Sequence, residues 1–482
     1  MVLERLNYAF SPRSIAVAGA SENPLSAGYG YLYHLVNNGY QGKIYPVTPR
    51  YQQVLGFKAY PTLRDIPEFV DYVICCIPAS EVLPLLKQCP EKEVKAVHLF
   101  TARFSETGQE DTIKLERELL QLVREFGITL IGPNCYGIYC PKVGTAFAYD
   151  FPTEPGKLGM FNQSGGASAE FIYYASLRGV RFSKVISYGN ATDLNEADLL
   201  EYFSQDDESK IIASYIEGTK DGRRFVDILS RTTPKKPVII LKAGRGNAGV
   251  KAAASHTAAM AGSLKVWEAA INQAGAIQAR SMEDMIDLAV SFYFLPPRMG
   301  TRVGIAGGGG GRAVLSADEW EEAGFNVTPL PKEIEEEIRK TLPEMWWGWV
   351  RNPVDFSIFP GDLAAEFRDT VLRMMTESEH FDLIVSNISI GGPTPPTQLA
   401  SSVRRQVEGI IKLAATGKKP LAVILNTGTL GSGEFDKVRW TCLAEEMSRL
   451  IAARIPVYPS ASQAARAVKH LVNYYQRKQA LA

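Results

Sequence analysis

Ser14-Ile-Ala-Val-Ala-Gly19-Ala20-Ser21-Glu-Asn-Pro-Leu-Ser-Ala-Gly28-Tyr-Gly30 decides the fold. A short apolar strand runs into a small-residue turn and then into a helix start. The same succession returns in Leu158 to Ala175 and in Arg302 to Ala323. Each opens a doubly wound sheet, because the first strand of such a domain usually delivers the ligand-binding turn. Between these points, β-branched runs such as Tyr72-Val-Ile-Cys-Cys-Ile77, Val94 to Phe100 and Ile128 to Ile131 alternate with amphipathic stretches. One of these, Asp111 to Phe126, carries Leu115, Leu119, Leu120, Leu122 and Val123 at helical spacing. Strand–helix alternation implies mostly parallel sheets covered on both faces. Proline-rich joints, Phe151-Pro-Thr-Glu-Pro-Gly156 and Leu295-Pro-Pro297, set boundaries near 150 and 298. The expectation is an α/β chain of three Rossmann- or flavodoxin-like domains, 1–150, 151–298 and 299–482.

Length and composition agree. A chain of 482 residues is long enough for about three domains. Its 52 Lys+Arg balance 52 Asp+Glu, so no basic excess marks a nucleic-acid binder. No apolar run reaches the ~18 residues of a membrane span, and the N-terminus has no signal-peptide core. Six cysteines, two of them adjacent at 75 and 76, form neither a disulfide framework nor a metal spacing. A cytoplasmic location follows as an expectation.

The first turn lacks the dinucleotide G-x-G-x-x-G, with Ser21 where the second glycine would fall. Backbone N–H groups at its helix start still suit a phosphate. The next strand, Lys43-Ile-Tyr-Pro-Val47, ends in Thr48-Pro-Arg50, and an arginine there suits a phosphorylated ribose. NADP and coenzyme A both have that feature, and a structural turn with a solvated arginine fits the spacing equally well.

The second distinctive segment runs from Lys242 to Ser263 and contains His256. Thirteen of the twenty residues from Gly244 to Ser263 are Gly, Ala or Ser, so few side chains can anchor it. A histidine flanked by Lys242, Arg245 and Lys251 suits a nucleophile that accepts a phosphoryl group: neutral imidazole attacks and the cations neutralise phosphate oxygens. An incidental histidine on a surface loop is the alternative. Phe161-Asn-Gln-Ser164-Gly165-Gly166 is a second strand–turn–helix start with anion-binding donors. Ser164 is not a hydrolase nucleophile elbow, because Asn162 replaces the first glycine of G-x-S-x-G. Glu217 ends the strand Ile211 to Ile216, where it could orient an imidazole or could be a solvated acid.

Taken in order, Ser14-Ile-Ala-Val-Ala-Gly-Ala-Ser21, Ile131-Gly-Pro-Asn-Cys135, Gln163-Ser-Gly165, Tyr188-Gly-Asn190, Tyr215-Ile-Glu-Gly218, Ser255-His-Thr257 and Asn352-Pro-Val-Asp355 resemble the NDP-forming acyl-CoA synthetases. Nearly the whole chain is similar to the α subunit of the ADP-forming acetyl-CoA synthetase type, in the succinyl-CoA synthetase superfamily. The resemblance implies that acyl-CoA and phosphate give acyl phosphate and CoA, that acyl phosphate phosphorylates His256, and that phosphohistidine converts ADP to ATP on an ATP-grasp domain. It implies that Glu217 stabilises phosphohistidine, and that Asn134, Ser164, Gly165 and Gly166 surround the phosphate and acyl group. It also implies that Gly19, Ala20, Ser21, Val47, Arg50, Ile77 and Pro78 line the CoA site.

No ATP-grasp segment follows the third domain, and Gly307 to Gly311 lacks a P-loop lysine. The resemblance therefore implies a separate ATP-grasp β subunit in a heterotetramer, or a homodimer when isolated, with Mg2+-ADP/ATP on the partner and no metal here. Departures from the family pattern are Ala258, Gly166, Thr101-Ala-Arg-Phe104, Ala306 to Arg312 and the aromatic run Met345-Trp-Trp-Gly-Trp349. They bear on which small carboxylic acid is used. His34, His98, His380 and His470 read as structural, and Cys135 as packing. Two rivals remain: a non-catalytic acyl-CoA-binding or regulatory protein, and an NADP-dependent oxidoreductase.

Overall fold

The computed structural model describes residues 2–246, 248–249, 263–356, 363–388, 395–425 and 438–480. His256, with Lys251 and Ala258, lies outside the described residues. The chain divides into two compact units, Met1–Met285 and Ile286–Ala482.

The first unit holds two sheets. One uses strands β1 (Ser14–Ala18), β2 (Lys43–Val47), β5 (Tyr72–Cys75), β6 (Ala96–Leu99) and β7 (Thr129–Ile131) in the order β2-β1-β5-β6-β7, all parallel. The short strands β3 (Gln53–Val54) and β4 (Phe57–Lys58) form a hairpin of their own. The other sheet contains β8 (Gly137–Tyr139), β9 (Leu158–Asn162), β10 (Phe182–Ser187), β11 (Ile211–Ile216), β12 (Val238–Lys242) and β13 (Ile277–Ala279). Its order is β13-β12-β11-β9-β10-β8, with β8 the antiparallel edge on β10. Counting parallel strands along the chain, both sheets have the doubly wound order 2-1-3-4-5, whose crevice opens between the first and third strands. That places the two crevices between β1 and β5 and between β9 and β11.

Burial explains the strands' composition. All five residues of β1 and of β9 are buried, as both faces of a helix-covered parallel sheet require. Helices α1 (Val2–Phe10), α2 (Ala27–Asn37), α3 (Val82–Leu86) and α4 (Glu110–Glu125) accompany the first sheet; α5 (Gly165–Leu177), α6 (Glu196–Gln205) and α7 (Gly222–Thr232) accompany the second. On α4, Leu119 and Val123 pack into a core with Ala16, Val73, Val97 and Leu130. The amphipathic stretch read from the sequence is thus a helix with its apolar stripe inward.

In the second unit, β14 (Val303–Gly307), β15 (Leu383–Ile388), β16 (Leu421–Leu425) and β17 (Val457–Tyr458) pair in parallel in that order. The opening of this sheet repeats a device of the first. Arg13, just before β1, gives its backbone N–H and two guanidinium N–H groups to Asp71, just before β5 (2.8, 2.9 and 2.9 Å). Arg302, just before β14, makes the same three bonds to Asp382, just before β15 (2.9, 3.0 and 2.7 Å). Each clasp fixes the register of two neighbouring strands at their N-terminal ends. In the aromatic run, Trp346 packs against the unit's core, whereas Trp347 and Trp349 are partly exposed. Among the described residues no helix is long and apolar enough to cross a membrane, and no group of three His, Cys, Asp or Glu could hold a metal.

Candidate functional site

At the first crevice the chain leaves β1 through Gly19, whose φ of +88° favours glycine. The Gly19 and Ala20 amides both donate to the Val47 carbonyl at the end of β2 (3.0 and 3.3 Å). The turn then closes on itself: Ser21 Oγ accepts from Asn23 N, Asn23 Oδ1 from Leu25 N, and Ser26 caps α2 by accepting from Tyr29 N (3.2 Å). Gly28 lets the helix start touch the strand end, since a Cβ there would lie 2.0 Å from the Gly19 carbonyl oxygen. The result is a cavity of about 630 Å³ whose wall contains Gly19, Ala20, Ser21, Val47, Arg50, Ile77 and Pro78. All seven residues assigned to a CoA site by resemblance therefore line one cavity. The side chain of Arg50 pairs with no carboxylate among the described residues.

At the second crevice the turn is shorter. Ser164 follows β9 after a single intervening residue and caps α5, its hydroxyl accepting from Ala167 N (3.3 Å). The serine's oxygen thus serves the helix, and Gly165 and Gly166, whose amides as the first of a helix have no partner within it, line the crevice. Gly165 is needed because a Cβ there would lie 2.7 Å from the Tyr136 ring, whereas at Gly166 the nearest atom would be 4.0 Å away. A cavity of about 790 Å³ is lined by Ser164, Gly165, Gly166, Asn134, Gln163, Tyr136 and Phe100, and also by Cys76, Ile77 and Pro78. Those last three residues line the first cavity as well, so the end of β5 borders both chambers.

Glu217 is buried rather than solvated, with 7% of its surface exposed. Gln163 holds the strand end that carries it: Gln163 Oε1 accepts from Glu217 N (2.9 Å) and Gly218 N (3.2 Å). The sequence reading did not single out Gln163 as a site residue. Its signal is a polar side chain at the switch-point end of a buried strand. Burial, then the neighbouring Glu217 carboxylate, push the Tyr215 phenol up to about 12. Burial lowers the Lys242 ammonium, which donates to the Glu217 and Ala243 carbonyls (2.7 and 2.5 Å) and lies 5.8 Å from the Trp267 ring centre. Lys242 is thereby committed to the strand ends.

The remaining histidines near the site are structural in character. His98 is wholly buried, with Nε2 3.0 Å from the Cys135 carbonyl, and burial lowers it to about 4. His34 is likewise lowered to about 4 by burial and meets the Tyr149 ring edge-on. Burial pushes the Cys135 thiol far up, which disables it as a nucleophile.

Two family models match the chain: a CoA-binding domain over residues 13–141 and a succinyl-CoA ligase-like flavodoxin domain over residues 155–292. The α subunit of the ADP-forming acetate–CoA ligase II of Pyrococcus furiosus is 38% identical over 424 residues, covering 87% of this chain and 90% of the relative. The chain belongs to the ADP-forming acyl-CoA synthetases. Within this family, the α subunit of the P. furiosus ligase I is 33% identical over 98% of both chains. The solved dinucleotide-forming acetyl-coenzyme A synthetase 1 of Ca. Korarchaeum cryptofilum, in complex with phosphate and ADP, superposes with a TM-score of 0.81. It is 29% identical and is matched over 98% of this chain and 97% of its own. The two crevices of the first unit thus fall within the segments matched by the synthetase family's CoA-binding and ligase domains.

Proposed function

We propose that the chain is the CoA-binding, histidine-phosphorylated subunit of an NDP-forming acyl-CoA synthetase. It interconverts acyl-CoA, phosphate and ADP with a carboxylic acid, CoA and ATP. The observation that carries this reading is the pair of adjacent cavities that share Cys76, Ile77 and Pro78 in their walls. One presents an arginine that pairs with no carboxylate among the described residues and is suited to a phosphorylated ribose; the other presents a helix start suited to phosphate. A long ligand with a phosphorylated nucleotide at one end and a thioester at the other spans such a pair.

In the first step a phosphate oxygen attacks the thioester carbonyl carbon and the C–S bond breaks; the CoA thiolate leaves and takes up a proton. Ser164, Gly165, Gly166 and Asn134 surround the phosphate and acyl group, and the α5 amides stabilise negative charge. In the second step an imidazole nitrogen of His256 attacks phosphorus and the carboxylate leaves. Glu217 stabilises the cationic phosphohistidine. In the third step the phosphoryl group passes to ADP. The nucleotide, with its Mg2+, is held by an ATP-grasp partner subunit, in a heterotetramer by analogy with the relatives named as α subunits. The reaction belongs in the cytoplasm, where CoA and the nucleotides are found.

The test is the phosphate-dependent part of hydroxamate formation by this chain from acyl-CoA and hydroxylamine, measured above the direct attack of hydroxylamine on the thioester in the absence of phosphate. Wild type and His256→Ala are both expected to give the hydroxamate, while only wild type yields ATP when the partner is supplied. CoA binding without any phosphate-dependent hydroxamate contradicts the catalytic reading and favours a non-catalytic acyl-CoA-binding protein.

A further inference from the structure

Behind the wall of the phosphate-side cavity, two carboxylates converge on one amide. Glu116 of α4 has 9% of its surface exposed. Its Oε2 accepts from Ser105 N (2.9 Å) and Asn190 Nδ2 (3.2 Å), and its Oε1 from Thr192 Oγ1 (2.7 Å). Glu106 Oε2 accepts from the same Asn190 Nδ2 (2.7 Å) and from Phe104 N (3.0 Å), and its Oε1 accepts from Arg103 N (2.5 Å). Ionised carboxylates only accept, so they fix which way the Asn190 amide points: nitrogen toward them, oxygen away. That oxygen faces Asn134 Nδ2 at 3.5 Å, and Asn134 lines the cavity.

The backbone around this amide is equally constrained. Asn190 N donates to the Pro133 carbonyl (3.0 Å) and Thr192 N to the Gly132 carbonyl (3.3 Å). At Gly189 a Cβ would meet the Pro133 and Asn134 carbonyl oxygens at 2.2 and 2.5 Å. Asn134 itself holds a left-handed φ of 59°, a conformation that persists where surroundings impose it.

We propose that Glu116, sharing the Asn190 amide with Glu106, is a positioning residue: acting through Asn190, whose oxygen takes one N–H of Asn134 Nδ2, it orients the Asn134 amide so that its second N–H is left for an anion in the cavity. This rests on the reading of that cavity as the phosphate site. Glu116 touches no substrate, and the CoA-side cavity is not among the groups it bonds.

The test uses the full chain. KM for phosphate and KM for acyl-CoA are measured in acyl-phosphate formation for Glu116→Ala, Glu116→Gln and Asn190→Ala. Glu116→Ala, which leaves the Asn190 amide to Glu106 alone, is expected to raise KM for phosphate severalfold and Asn190→Ala about tenfold, the scale of one misdirected hydrogen bond to a charged ligand, with KM for acyl-CoA little changed. Glu116→Gln is expected to restore it, since the amide oxygen still accepts from Ser105 and Asn190 while the Thr192 hydroxyl turns to accept. Asn190→Ala reproduces the split without touching either carboxylate, and covers the case in which Glu116→Ala does not fold. Both KM values rising together, neither moving, or Glu116→Gln failing like Glu116→Ala overturns the proposal. If wild type makes no acyl phosphate, the catalytic reading fails on its own. The hub is then judged by thermal shift: loss of the phosphate-induced shift in Glu116→Ala with the CoA-induced shift kept supports it, and any other pattern overturns it.

Discussion

The two crevices of the first unit share a strand order and differ in their turns. After β1 the chain takes seven residues, Gly19 to Leu25, to reach the Ser26 cap, pinning the long turn with Asx- and Ser-type bonds and opening a chamber lined by Arg50. After β9 only Gln163 precedes the Ser164 cap, so the helix start stands almost at the strand end. One topology thus yields two chambers of different build, set by turn length; in the proposed function the first takes an extended ligand and the second a compact anion. Glycine has a different task in each: Gly28 lets helix touch strand, while Gly165 leaves room for the Tyr136 ring.

Substitutions should separate the two. The largest effect is expected from Gly28→Ala, whose Cβ would lie 2.0 Å from backbone oxygen. Backbone cannot give way as a side chain does, so a loss of about 3 kcal/mol or more is expected in denaturant unfolding, with loss of the CoA-induced thermal shift. Gly165→Ala meets only a side-chain ring, so about 1–3 kcal/mol is expected. It should lower acyl-phosphate formation while leaving the CoA-induced thermal shift in place; equal damage to both sites would erase the distinction drawn here.

Much of this was legible in the sequence because it is local. The three strand–turn–helix units, Arg50 at a strand end and Ser164 before two glycines all depend on neighbours within a few residues. The burial of Glu217 was not legible, because a strand-end acid reads the same whether or not Gln163 and Tyr215 enclose it. Nor was the pairing of β8 with β10, which carries Gly137–Tyr139 into the second sheet. The Glu116–Asn190 hub joins residues 74 positions apart, a separation that no periodicity encodes. The break between compact units falls within the helix Met282–Phe294, ahead of the proline joint Leu295-Pro-Pro297, so punctuation marks a helix end while contacts mark the division.

Arg50→Ala sharpens the comparison at a smaller scale. Loss of a charge-assisted bond of about 1.5–3 kcal/mol should weaken CoA binding roughly tenfold or more. Dephospho-CoA, lacking the ribose phosphate, should bind wild type and variant alike, and KM for phosphate should not move. A variant that weakens both ligands equally would remove Arg50 from the phosphorylated-ribose role.

The smallest effect is expected outside both crevices, at the strand-opening clasps. The Arg13 guanidinium lowers the Asp71 carboxyl, chiefly by hydrogen bonding. Burial alone would raise Asp382, but the Arg302 bonds and charge more than offset it and its carboxyl is lowered too. A carboxyl lowered in the folded state stabilises above its unfolded pKa, and that stability is lost as pH falls through the folded value. Asp71→Asn and Asp382→Asn should therefore lower Tm slightly at neutral pH, with the difference from wild type vanishing in acid below the ordinary carboxylate range. A difference that persists there would assign the effect to packing.

The most direct test of the account follows the phosphorus. Radiolabelled phosphate supplied with acyl-CoA should label the chain in a form that is base-stable and acid-labile, and peptide mapping should place it on His256. His256→Ala is expected to take no label while still forming acyl phosphate. Label of equal stability on His256→Ala, or acyl phosphate formed by wild type with no protein label at all, would contradict it.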